Sequence, residues 1–282
     1  MKNQASDDSS QAAKALAFKA LHERSGVFVM PNPWDSGSAK LLEHIGFEAL
    51  ATTSAGLAFS LGKPDGAGAV TREETLQNIK DIISATSLPV AADLENGYGD
   101  DPETCAETII LAAKAGLVGG SIEDATGKPN DPIYPFDLSL ARVRAAARAA
   151  HNLSFPFTLT ARAENLIYGR YDLTDTINRL VAFADAGADV LFAPGLKTRN
   201  EIETVIRAVS PKPLSVLMGF VNSSFSVKEL ADLGVKRISL GSSLARAAYG
   251  AFLNASMEVY EKGTFTFSED TVSYDKINKM FI

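Results

Sequence analysis

Short apolar, β-branched runs alternate along this chain with stretches of helical periodicity, the pattern of a parallel sheet covered by helices. Eight runs predict strands: Val27 to Met30, Ala49 to Thr53, Val90 to Asp93, Gly120 to Glu123, Thr158 to Arg162, Val190 to Ala193, Leu214 to Leu217 and Arg237 to Leu240. Helices are predicted for Ser36 to His44, Arg72 to Ala85, Pro102 to Ala115, Leu138 to Ala150, Thr174 to Ala186, Arg199 to Val209, Val227 to Leu233 and Ser242 to Lys262.

The joints between them repeat. Gly46, Gly116, Gly187 and Gly234 each stand where a helix stops before the next strand, as a left-handed C-terminal cap requires. Eight right-handed βα units close most naturally into an α/β (β/α)8 TIM barrel, with an open doubly wound sheet as the alternative. An extra N-terminal helix from Gln11 to Arg24 would cover the barrel floor. Residues 11–262 read as one barrel domain, because no linker or composition break divides them. The Ser- and Asp-rich residues 1–10 read as a disordered tail and residues 263–282 as a C-terminal extension, with helix signal returning at Tyr274.

Composition narrows the partners. With 282 residues, 46% of them hydrophobic, the chain can bury one large core. A net charge of −7 without a basic stripe argues against a nucleic-acid partner. Cys105 is the single cysteine, so no intrachain disulfide forms; it reads as a small core hydrophobe. No run approaches membrane-spanning length and the start lacks an apolar leader core, so a cytoplasmic location is expected.

Candidate chemistry gathers at the strand ends, where such a barrel builds its site. Asn32, Thr52 to Ser54, Asp93 with Glu95, Glu123 with Asp124, Arg162 with Glu164 and Asn165, and Asn222 all fall there, with Asp65 in a nearby loop. For Asp124, Asn32 and Asn165 a cap or loop ion pair accounts for the residue equally well. Asp93, Glu95 and Glu123 are different, since three crowded carboxylates repel unless a cation or proton sits among them. His22, His44 and His151 show no zinc-type spacing, so all-oxygen ligation by these three acids suits Mg2+, with Mn2+ as a substitute. An ion so held polarises a 2-oxo acid and stabilises an enolate.

Arg162 fits a substrate carboxylate bidentately, although a structural bridge to Glu164 or Glu123 is the competing reading. Thr53, Ser54, Ala55 and Gly56 form a small-residue turn whose N–H groups suit the same carboxylate. Gly241, Ser242 and Ser243 fit a phosphate at a helix start or a plain N-cap. The Gly- and Pro-rich stretch from Asp124 to Phe136 is long for a βα loop and reads as a lid offering Lys128 and Asn130.

The ordered set Ala51-Thr52-Thr53-Ser54-Ala55-Gly56, Ser60 to Asp65, Ala92 to Gly99, Ser121-Ile122-Glu123-Asp124 and Thr160-Ala161-Arg162 resembles the isocitrate lyase and phosphoenolpyruvate mutase superfamily, over about Pro31 to Ala248. The resemblance implies a barrel whose last helix is swapped within a dimer, usually paired into tetramers. It implies magnesium at Asp93, Glu95 and Glu123 with Asp65 nearby, and a 2-oxo acid held by Arg162 and the Thr53 to Gly56 backbone. Two departures stand out. The Lys-Lys/Arg-Cys-Gly-His lid of the isocitrate and methylisocitrate lyases is absent; Gly127-Lys128-Pro129-Asn130 is nearer the Lys-Thr-Asn lid of the phosphonopyruvate enzymes, one residue shorter and without the following serine. Glu95 also stands where many relatives have aspartate.

The leading expectation is a magnesium-dependent lyase of a small 2-oxo or 2-hydroxy dicarboxylic acid, acting by C–C cleavage or decarboxylation. Two alternatives are phosphonopyruvate-type P–C chemistry, in which Lys128 and Asn130 serve the phosphoryl group, and a noncatalytic 2-oxo-acid-binding barrel.

Overall fold

The computed structural model describes residues 2–66, 68–220 and 225–281. Its strands are β1 (Phe28–Met30), β2 (Leu50–Ala51), β3 (Val90–Asp93), β4 (Gly119–Glu123), β5 (Thr158–Arg162), β6 (Val190–Phe192), β7 (Leu214–Leu217) and β8 (Arg237–Ser239). Every pairing is parallel, in the order β1-β8-β7-β6-β5-β4-β3-β2. A backbone hydrogen bond from Ala51 N to the Pro31 carbonyl, 3.1 Å, brings the two ends of that order together. The sheet is therefore a nearly closed (β/α)8 barrel, and the open doubly wound alternative is excluded.

The helices are α1 (Lys2–Glu23), α2 (Ser36–Ile45), α3 (Ser54–Ser60), α4 (Arg72–Ser84), α5 (Pro102–Lys114), α6 (Phe136–His151), α7 (Leu173–Asp185), α8 (Arg199–Val209), α9 (Val227–Asp232), α10 (Ser243–Lys262) and α11 (Tyr274–Lys279). Buried Ala15 and Phe18 pack α1 against Phe28, Ala49, Ala91 and Val118, at the strand starts, so the extra helix closes the barrel floor. It starts at Lys2 rather than Gln11, in place of the unstructured tail expected there: once nucleated, a helix extends through polar residues at little cost. The four glycine joints adopt φ of 102° at Gly46, 105° at Gly116, 107° at Gly187 and 91° at Gly234, values that penalise any Cβ. They set how each helix turns back into the sheet.

Two elements depart from the apolar pattern. The second strand stops at Ala51, and the turn expected at Thr53 to Gly56 is instead the start of α3, with Thr53 as its cap. Beyond β8, α10 runs off the barrel, and Ala245 is its buried residue. Glu258 ties the chain after it back to α10 by accepting from Thr264 and Thr266.

Candidate active site

The sheet register places the acids side by side. Asp93 pairs with Ser121, Glu123 with Arg162, and Arg162 with Phe192, so three successive strand ends carry Asp93, Glu123 and Arg162 at one mouth. Beyond Asp93 the chain turns through buried Leu94 into Glu95, whose φ of +48° is left-handed for a non-glycine residue. Such strain is retained where the surrounding structure fixes an orientation, here that of Glu95.

Arg162 is the hub. Its guanidinium meets Asp93 Oδ1 at 2.9 Å, Glu123 Oε2 at 3.0 Å and Glu164 Oε1 at 2.8 Å, and lies 5.3 Å from the Phe192 ring centre. Burial opposes its charge, yet Glu164, Glu123 and Asp93 hold the pKa well above the ordinary arginine value. Asp93 Oδ2 accepts in turn from Ser54 Oγ at 3.0 Å, which ties the start of α3 to the acids.

One cation does not balance the acids around it. Desolvation first, then the Asp93 and Asp65 charges, push Glu95 up to about 7. Burial drives Glu123 well above the usual carboxylate range, and burial followed by Asp93 raises Asp65 at the rim. Carboxylates raised in this way favour a bound proton or a cation. The donor set is oxygen alone, because His22 lies in the barrel floor beside Phe18 and Phe28, and His44 and His151 sit on the outer helices α2 and α6. Those donors fit a hard divalent ion such as magnesium or manganese. Among the described residues no three such side chains stand ready to grip an ion together, since Asp93 and Glu123 are both turned onto Arg162.

Two cavities meet this cluster. One, of about 250 Å³, runs between Thr53, Ser54, Ala55, Asp65, Asp93 and Arg162 and reaches down to Arg237. The other, of about 510 Å³, carries Glu95, Glu123, Gly127, Lys128 and Tyr168. A larger hollow of about 950 Å³ opens on the opposite face, around the strand starts, and holds none of the candidate acids. The active site is assigned to the strand-end mouth because the charged groups converge there.

At the α3 turn, Gly56 N–H donates to Thr53 Oγ1 at 3.2 Å, so that N–H is already used; those of Ser54 and Ala55 begin the helix. A Cβ at Gly56 would come within 2.6 Å of Thr53 Cγ2 and 2.9 Å of Trp34 Cβ, which excludes larger residues from this close approach.

The lid folds on itself. Ala125 bridges Ile133, and Thr126 N donates to the Pro132 carbonyl at 2.8 Å. Lys128 Nζ is engaged by Asp100 at 2.7 Å on the exposed side, and Asn130 stands at the exposed turn. Asn222 lies outside the described residues.

Three strand-end residues are structural. Asn32 donates to the Thr52 carbonyl and accepts from Ser239 Oγ and Leu240 N, joining the ends of β1, β2 and β8. Asp124 accepts from Glu164 N and pairs with Arg179, and Asn165 donates to the carbonyls of Arg170 and Asp172. Sequence reasoning passed over Tyr168 and Arg237. Tyr168 sits in a loop with no periodic signal, and Arg237 opens a strand, at the end remote from the expected site. Arg237 is buried against Ser215, Thr160 and His22; burial and then Arg162 push it down to about 9, still charged at neutral pH.

Comparison with known proteins agrees with this architecture. The family model described as phosphoenolpyruvate phosphomutase matches residues 18–260. The chain belongs to that family. A solved structure from Burkholderia cenocepacia J2315, assigned as a lyase or mutase, is 57% identical, with a TM-score of 0.93 and 97% of each chain covered. The solved 2,3-dimethylmalate lyase is 27% identical, with a TM-score of 0.84 and 95% of each chain covered. The 2-methylisocitrate lyase of Vibrio cholerae is 29% identical over 262 residues, covering 88% of this chain and 82% of its own. The chain is accordingly an enzyme of the isocitrate lyase and phosphoenolpyruvate mutase type.

Proposed function

We propose that this enzyme is a magnesium-dependent lyase of a small 2-oxo or 2-hydroxy dicarboxylic acid that breaks a C–C bond, by cleavage or decarboxylation, through an enolate. The observation that carries this reading is the excess of buried carboxylate around Arg162 at a cavity sized for a small acid. Asp93, Glu95 and Glu123 would hold the ion, with Asp65 beside them. When bound, magnesium supplies positive charge that polarises a 2-oxo group and stabilises an enolate oxygen. Arg162 would offer its guanidinium bidentately to a substrate carboxylate in place of part of its pairing with Asp93 and Glu123. Ser54 and Ala55 line the same cavity, where their N–H groups would serve a carboxylate, and Thr53 caps their turn.

The P–C alternative places Lys128 and Asn130 on a phosphoryl group. Lys128 lines the cavity of Glu95 and Glu123 but pairs with Asp100 in an exposed contact, which a phosphoryl group would have to displace. No helix among the described residues is long and apolar enough to cross a membrane, in keeping with a cytoplasmic enzyme acting on soluble acids. The deciding experiment is a screen of malate-, citrate- and phosphonate-type acids for 2-oxo acid release, with magnesium and with EDTA. Release from a carbon acid, lost in EDTA, is expected. Undiminished turnover in EDTA refutes the metal role; phosphonopyruvate turnover abolished by Lys128→Ala would promote the P–C enzyme. Tight pyruvate or oxalate binding without turnover of any acid would indicate the noncatalytic barrel.

A further inference from the structure

An enolate formed here needs a proton on carbon, and the lid brings no acid to supply it. Cys105 is buried with its Sγ toward the Asn96 carbonyl, and desolvation pushes its thiol up to about 11. Tyr98 donates its hydroxyl to Thr75 Oγ1 at 2.8 Å, and Lys128 is held by Asp100. Glu95 and Glu123 are assigned to the ion in the reading above, and among the described residues Tyr168 is a further proton-bearing side chain at the same cavity. Tyr168 lines the cavity that contains Glu95 and Glu123, its neighbour Ile167 lines the one that contains Arg162 and Asp93, and its hydroxyl makes no hydrogen bond to any described residue.

The loop holding Tyr168 is fixed from three sides. Ile167 N and Tyr168 N both donate to the Glu164 carbonyl, while Glu164 is itself clamped by Arg162 and Asp124. Asn165 ties the far side of the loop to Arg170, Asp172 and Thr176. Underneath, a Cβ at Gly195 would lie 3.0 Å from Leu166 Cβ and 3.1 Å from Ile167 Cγ2, so the loop is pressed onto the β6 turn. A phenol on so constrained a loop, over the acid cluster, is placed as a proton donor must be.

We propose that Tyr168 protonates the enolate carbon; this rests on the enolate reading above. The C–C bond breaks with its electron pair left on the enolate. For a hydroxy acid, the alcohol gives its proton to solvent and its O–H pair becomes the second bond of the departing carbonyl; for a 2-oxo acid losing CO2, the carboxylate pair does the same. The enolate pair then forms a C–H bond with the Tyr168 proton, and the tyrosinate regains a proton from solvent. Burial and the Glu123 and Glu164 charges push the phenol up to about 12, which keeps it protonated and able to donate.

The test needs only pyruvate as probe. Pyruvate is incubated with magnesium-loaded protein in D2O and deuterium at its methyl group is followed by NMR, while binding is read from the single tryptophan, Trp34, which packs on Gly56. Wild type is expected to exchange the methyl protons. Tyr168→Phe, at a position 43% exposed, keeps the fold and the pyruvate affinity but slows exchange by about a hundredfold or more. Exchange in Tyr168→Phe at the wild-type rate overturns the role of Tyr168 and leaves the enolate reading standing. Wild-type protein that binds pyruvate without exchanging it overturns the pyruvate enolate and with it the role of Tyr168.

Discussion

Arg162 faces three carboxylates because three strand ends deliver them to one point, and no one of those pairs accounts for its position. Asp93 has the most connections, gripping Arg162 with one oxygen and Ser54 with the other while also accepting from Glu95 N. Removing it would strip a proposed ligand and loosen both neighbours. Asp93→Ala is expected to abolish magnesium binding measured by calorimetry; retained affinity would place the ion elsewhere. Beneath this cluster, His22 shows the opposite electrostatics. Its Nδ1 contacts the Phe18 carbonyl at 2.9 Å and its Nε2 meets Arg237 Nη1 at 3.3 Å, which together select the neutral ring with the proton on Nδ1. Burial first and the Arg237 charge second push it down to about 3 from its ordinary 6.5. The unfolded chain thus binds a proton below pH 6.5 that the folded chain refuses, so the contribution is whole above that pH and declines as pH falls toward 3. By pH 4.5 roughly 3 kcal/mol is lost from this source. Urea midpoints at pH 7.5 and 4.5 are expected to separate less in His22→Gln than in wild type, and equal separation refutes the assignment.

At the scale of elements, the helix-to-strand joints carry the regularity of the barrel. Gly46 has φ of 102° with open space where a Cβ would go, so Gly46→Ala measures the backbone penalty alone, about 1 kcal/mol. Gly187→Ala adds contact with Ala147 Cβ at 3.2 Å and should cost more in the same thermal melts. These joints also explain why the barrel could be read from the chain. Parallel strands buried on both faces are short apolar runs, and β3, β5 and β7 match the pattern residue for residue, while the glycine caps mark the approach to β2, β4, β6 and β8. α3 escaped detection because Ser54-Ala-Gly-Leu-Ala-Phe-Ser is seven small or apolar residues with no helical period. Strand-end acids were legible because position along a strand implies the mouth. The aim of Lys128 was not, since Asp100 lies 28 residues away and only the folded loop brings it near.

For the whole molecule, α10 leaves an apolar face exposed among the described residues. Phe252, Leu253, Met257 and Tyr260 recur at helical spacing and are 66%, 58%, 47% and 88% exposed. Burying such side chains is worth about 1.5–3 kcal/mol each, enough together to hold two chains in association. The expected occupant is a second copy, and the resemblance implies an exchanged last barrel helix and paired dimers. Sedimentation should then give a multiple of the 30.0 kDa chain, and Leu253→Glu, which puts a charge in that face, should lower the mass toward a single chain. The site feels this change through the root of α10. Ala245 lies against Gly56, where a Cβ would approach it to 3.4 Å, and Tyr249 meets the Phe59 ring edge at 6.5 Å. A partner that steadies α10 thereby steadies the Thr53 to Gly56 turn. Leu253→Glu is accordingly expected to weaken pyruvate binding, read from Trp34 fluorescence, while leaving magnesium affinity near the wild-type value; a dissociated variant that binds pyruvate normally would show the turn to be held by its own barrel alone.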